Sequence, residues 1–159
     1  MSQPLQFVRI LALGGWVGAI VYFAAVVARG AFAVLPTRDE AGRVVAFTLT
    51  GLHAMGLLLA AIFVLASVLV AKGPKTFVAP TVLGVLLMAL LTMASQYRVI
   101  PRMERLRNQM GSLDQTPASD PRRAEWDRLH ATSVGMEGAV LLIGVLTLFL
   151  TLREDGSPG

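Results

Sequence analysis

Of 159 residues, 55% are hydrophobic and only 15% charged, where an ordinary soluble domain carries roughly 25% charged residues, so more apolar surface is present than a water-facing fold can bury. The length allows one domain, the absence of cysteine excludes disulfides, thiolate metal sites and cysteine nucleophiles, and a mean hydropathy of +0.65 points to lipid as the solvent. A formal net charge of +4 does not read as nucleic-acid binding: the basic residues fall between apolar runs, where membrane orientation and anionic lipid account for them.

The first apolar run covers about 7–35, is interrupted by Arg29 and closes at Pro36. Arg9 ahead of it and Ala31-Phe32-Ala33 within it imitate a secretory signal, but the run exceeds the roughly 7–15 residues of a secretory core, which makes it a first spanning helix. The second covers about 43–71, holds the single ionisable group His53, and is broken by Gly73 and Pro74 after Lys72. The third is expected over about 77–100, with Pro80 tolerated in its first turn and Pro101 after its end. A polar connector, 101–126, follows; Arg102–Met110 reads as a helical continuation, and several of its arginines are expected to pair with Asp120, Glu125 or Asp127. The fourth covers about 127–152, leaving Arg153–Gly159 as a mobile tail. Each run suffices for the ~20 residues that cross a bilayer, and the sum is an all-α integral membrane four-helix bundle forming a single transmembrane domain over 1–159.

Four spans place both termini on one side. That side carries Arg9, Lys72, Lys75 and Arg153, whereas ten arginines lie on or near the connector side. The positive-inside rule then puts the long connector in the cytoplasm and the termini outside.

An ionisable side chain inside a bilayer costs several kcal/mol unless partnered, which singles out Arg29, His53 and Glu137, with His130 at the membrane boundary. At 1.5 Å per residue these lie about 9, 12, 15 and 5 Å from the connector face respectively, and Gln96 and Tyr97 fall in the same half. His130, Ser133 and Glu137 recur on one side of the fourth helix, as Thr50, His53 and Gly56 do on the second. On the first, Gly15, Gly18, Tyr22, Ala25 and Arg29 line a stripe whose small residues are expected to admit a neighbour and turn Arg29 inward. These spacings predict an intramembrane polar pocket of Arg29, His53, Gln96, His130, Ser133 and Glu137.

Three uses of that pocket stay open. In the plainest, Arg29 neutralises Glu137 and the histidines hydrogen-bond between helices in a non-enzymatic protein. In the second, His53 and His130 hold a cofactor, a haem or copper, with Met55, Met88, Met93 and Met136 as soft ligands for the metal. The third is a proton or small-solute path through Glu137, with the protein as a transport accessory. Hydrolysis lacks support, because Ser133 near His130 has no identifiable oxyanion hole or orienting partner. The Gly14–Gly18 pair has the spacing of a helix contact, and homo-oligomers or membrane protein partners are compatible with the composition.

Gly18 with Phe23, Phe32-Ala-Val-Leu-Pro36, Ala41-Gly42, Leu52-His53, Ile100-Pro101, and Leu129-His130 with Ser133 together resemble the transmembrane protein 205-like family, small four-helix membrane proteins of unknown function. The family's pattern tends to place Asn where this chain has Glu137. A more distant likeness runs to copper resistance protein D and to haem-associated four-helix oxidoreductases. The resemblance covers nearly the whole chain and implies the fold rather than an activity.

Overall fold

A computed structural model describes residues 3–71 and 73–155; Lys72 of the expected turn and Gly156–Gly159 of the expected tail lie outside the described residues. Four long helices account for almost all of it: α1 (Gln3–Val34), α2 (Arg38–Ala71), α3 (Pro80–Met110) and α4 (Pro121–Asp155), with a short 3₁₀ turn at Pro74–Val78. Each is long and apolar enough to cross a membrane. The protein is thus an all-α, multi-pass membrane four-helix bundle.

Proline sets where α3 starts. The sequence pattern extends the span back to Phe77, but Phe77 lies in the 3₁₀ turn, Ala79 is extended (φ −64°, ψ 134°) and Pro80 opens the helix. Pro80 is suited to that first position because its fixed φ is already helical and the N–H it lacks would have no intrahelical acceptor. At its other end α3 runs on through Met110, with Arg102–Met110 as the expected helical continuation, and closes at Gly111, whose φ of +75° favours glycine.

The bundle is held by seams repeating at alternating three- and four-residue steps: Thr81, Val85, Met88, Thr92 and Ser95 on α3, and Val140, Gly144, Thr147 and Thr151 on α4. Between lipid-exposed helices such seams must succeed by close contact, since lipid is as apolar as leucine. Close contact is where the glycines act. A Cβ on Gly56 of α2 would strike the indole of Trp16, one on Gly84 of α3 would strike Thr147, and one on Gly144 of α4 would lie 2.7 Å from Val17 and 2.9 Å from Met88.

These contacts turn α1 away from its expected facing. Its buried stripe is Arg9, Ala12, Leu13, Trp16 and Ile20, whereas Gly15, Gly18, Tyr22, Ala25 and Arg29 face outward. Gly14 and Gly18 have no neighbour where a Cβ would point, so their pairing as a helix contact is not found. The reason is complementarity: the large stripe of α1 fits the small residues of α2 and α4, which leaves no role inside for a second small stripe. Large apolar side chains such as Leu58, Leu142 and Leu146, each more than 60% exposed, form the lipid-facing surface.

Two turns of wider, π-helical winding interrupt the helices, Phe23–Ala28 in α1 and Ser95–Val99 in α3. The second has a visible cause. Pro101 supplies no N–H and its ring would crowd the carbonyl four residues back, and the widened turn, closed by Ile100 N–H donating to the Ser95 carbonyl, relieves the conflict.

Candidate functional site

His53 is 1% exposed and sits where α2, α3 and α4 meet. Its Nδ1 lies 2.8 Å from Gln96 Oε1 and its Nε2 lies 3.2 Å from Glu137 Oε2. Gln96 comes from the widened turn of α3, so the local strain of Pro101 helps set the amide against the imidazole. Both ring nitrogens face oxygen. Nδ1–H therefore donates to Gln96, and the link to Glu137 needs one proton, held as imidazolium facing carboxylate or as neutral imidazole accepting from a carboxylic acid. Either arrangement is neutral as a whole, the condition for residing inside a bilayer.

Beside this triad lies a cavity of about 430 Å³ lined by all four helices. Ser133, Glu137, Gly138 and Leu141 form one wall, Ile20, Phe23, Ala24 and Ala28 face them, and Trp126, His130 and Arg107 close the connector end. From Gln3 to Tyr22, α1 packs on both α2 and α4; from Phe23 onward it packs chiefly on α2. The gap thus opened toward α4 is the cavity, and exposed Ala24, Phe32, Val134 and Gly138 at its rim face lipid.

Of the residues expected to share a pocket, His53, Gln96 and Glu137 are joined by hydrogen bonds, and His130, Ser133 and Glu137 line the cavity. Arg29 does neither: it is exposed on α1, and Glu137 takes His53 as its partner in place of Arg29. Tyr97 likewise points outward at 69% exposure. His130 stacks on Trp126, ring centroids 5.1 Å apart and 8° from parallel, the product of i, i+4 spacing on α4.

The donor set does not fit a haem gripped by two histidines. Both nitrogens of His53 are engaged and the ring is closed off from the cavity, which leaves His130 without a second histidine to form an axial pair. Copper fares no better: Met88 is in the core, Met55 and Met93 are outward-facing, and no group of three or more His, Asp or Glu gathers among the described residues.

Several charges elsewhere are paired locally. The expected connector pairs form as Arg102–Glu125 at 2.5 Å, Arg122–Asp120 at 2.6 Å and Arg123–Asp127 at 3.3 Å. Asp39 accepts from Ser112 Oγ at 2.5 Å and Leu113 N–H at 3.0 Å, which ties the start of α2 to the connector. Arg9, counted by sequence among the surface charges, is 5% exposed; it donates to Thr81 at 3.3 Å and Glu154 at 3.1 Å and lies over the Phe63 ring. Its position in the i, i+3, i+4, i+7 stripe with Ala12, Leu13 and Trp16 carried that signal. Arg107 and Trp126 were also missed at the cavity. Arg107 continues the Ile100, Met103, Glu104 face of α3, a periodicity that the polar composition of the connector hid.

A family model described as a domain of unknown function (DUF4149) matches residues 11–112, which hold His53, Gln96 and Arg107 but not α4. No curated protein and no solved structure matches the chain.

Proposed function

This chain belongs to the family described as a domain of unknown function (DUF4149), and we propose that it is a non-enzymatic membrane protein that holds a small membrane-borne molecule in the four-helix cavity, against an intramembrane polar site of His53, Gln96 and Glu137. The observation that carries this reading is the juxtaposition of a self-neutralised buried triad with a lipid-open cavity of about 430 Å³, within the range of small-molecule sites. The triad keeps the bundle in register, and Glu137, shared by triad and cavity, lets an occupant sense that register. The likeness to the transmembrane protein 205-like family is part of the same proposal, as is an orientation with the connector in the cytoplasm.

Native mass spectrometry of the full chain released from vesicles of mixed membrane lipid tests it. The wild type is expected to retain a bound lipid species that is lost when the cavity is filled by Ala28→Trp or, from the opposite wall, Gly138→Leu. Absence of any bound species, or equal retention by both folded variants, overturns the reading.

A further inference from the structure

The connector end of the cavity gathers hydrogen-bond donors that have nothing to donate to. Arg107 is half-buried, and its side chain makes no hydrogen bond or ion pair among the described residues; its Nε is fully buried. The nearest acidic groups, Asp39 and Glu104, attract it through space but neither makes a hydrogen bond or ion pair with it. Asp39 is committed to Ser112 and Leu113, and Glu104, one turn before Arg107, remains exposed and unpaired with it. Trp126 Nε1–H is also buried and has no acceptor among the described residues, although its ring lies under the Arg107 guanidinium at 5.8 Å. The hydroxyl of buried Ser133 and the ring nitrogens of exposed His130 line the same wall, and neither makes a side-chain hydrogen bond among the described residues. A buried donor without an acceptor costs about 1–3 kcal/mol and more when charged, so the two at Arg107 and Trp126, side by side on one wall, mark a missing acceptor.

The remainder of the lining says what that acceptor is attached to. Beyond Ser133 the walls are apolar, Ile20, Phe23, Ala24, Ala28, Leu49 and Leu141 among them, apart from Glu137, which is partnered by His53. From Trp126 to Leu141 the cavity follows α4 for about 22 Å, so its 430 Å³ is long and narrow. We infer that the cavity takes a single-chain amphiphile with an anionic head, a carboxylate or a phosphate monoester, its head on Arg107, Trp126 and Ser133 and its hydrocarbon chain running toward Ile20 and Leu141. The planar guanidinium suits either oxyanion in a two-pronged contact, and the indole beneath it favours Arg over Lys. Gly42 makes room for the guanidinium: a Cβ there would stand 2.8 Å from its Nη2. The chain enters from lipid through the gap between α1 and α4. This inference rests on the cavity reading above and adds the chemistry of the occupant.

The two tryptophans, Trp16 and Trp126, offer a direct reporter. In a Trp16→Phe background of the full chain in detergent, Trp126 emission is followed while oleate, oleoyl lysophosphatidate or oleyl alcohol is added. Oleate or the lysophosphatidate should produce a saturable change, and their order decides between carboxylate and phosphate. Oleyl alcohol should bind at least tenfold more weakly, and Arg107→Gln should weaken the anions at least tenfold while leaving the alcohol unchanged. Arg107→Lys, with the charge but not the fork, should fall between and covers the case in which Arg107→Gln does not fold. Equal binding of alcohol and oleate, or anion binding indifferent to Arg107, overturns the inference; if that binding is still lost in Gly138→Leu, the cavity reading survives it. No binding of any of the three, with no lipid species on the native protein, sinks both.

Discussion

A histidine with both ring nitrogens on oxygen can be part of a neutral hydrogen-bond network or of an ion pair, and the two differ in energy. Interhelical hydrogen bonds in membrane proteins contribute about 0.6 kcal/mol on average, whereas stranding one member of a buried ion pair costs about 3–5 kcal/mol. A double-mutant cycle over His53→Ala and Glu137→Ala, read by unfolding in mixed micelles, is expected to show each single change costing more than the pair together. Coupling above about 2 kcal/mol assigns an ion pair, and coupling near zero contradicts the 3.2 Å contact. Two arginines of one helix give a second comparison. Arg9→Ala removes a buried group bonded to Thr81 and Glu154 and should lower stability by about 1–3 kcal/mol. Arg29→Ala changes an exposed side chain and should stay within about 0.5 kcal/mol. The histidine was legible as an unusual residue, because any ionisable group in an apolar run is expensive. Its partner was not: Arg29 and Glu137 are opposite in charge and lie in the same half of the bilayer, but facing on a helix is decided by neighbours that composition does not name.

At the scale of elements, helix contacts depend on where a glycine meets a large side chain. Gly56→Ala drives a methyl into the Trp16 indole and should destabilise by about 1–3 kcal/mol. The same substitution combined with Trp16→Leu should recover most of that loss, and equal costs in the two backgrounds would show that the contact is not tight. The start of α4 is fixed differently. Asp120 Oδ1 accepts the Arg122 N–H at 2.8 Å, an N-terminal cap reinforced by the Arg122 guanidinium. The side-chain bond from Arg122, with the backbone bond behind it, holds the Asp120 carboxyl below its ordinary 3.8, at about 2. A depressed carboxylate stabilises the fold above 3.8 and loses that contribution as pH falls through about 2. Amide exchange at Arg122–Ala124 should therefore stay protected at pH 4 and rise toward pH 2. Asp120→Asn, which keeps a cap but not the charge, should abolish this dependence.

Across the whole molecule, the outward leucines define what faces lipid. Single-cysteine variants at Leu58 and Leu142 should resist a water-soluble maleimide in intact membranes, while Ser119 in the connector should react, and equal labelling at all three would refute the spans. Reporter fusions to the C-terminus then give the orientation: an external signal agrees with a cytoplasmic connector, and a cytoplasmic one reverses the bundle without altering its cavity.

The membrane bundle was determined by the sequence alone, because four uncharged runs of sufficient length have one inexpensive solution in a bilayer, and proline, glycine and charge mark their ends. The polar half of the bundle was likewise legible, since depth along a helix follows from counting residues. Rotation does not. Whether Gly18 or Trp16 turns inward, whether Arg9 or Arg29 is buried, and whether a polar stretch such as Ile100–Arg107 walls a cavity depend on the shapes offered by three other helices. Only the tertiary structure supplies those shapes, because burial in lipid rewards close fit between neighbours rather than hydrophobicity itself.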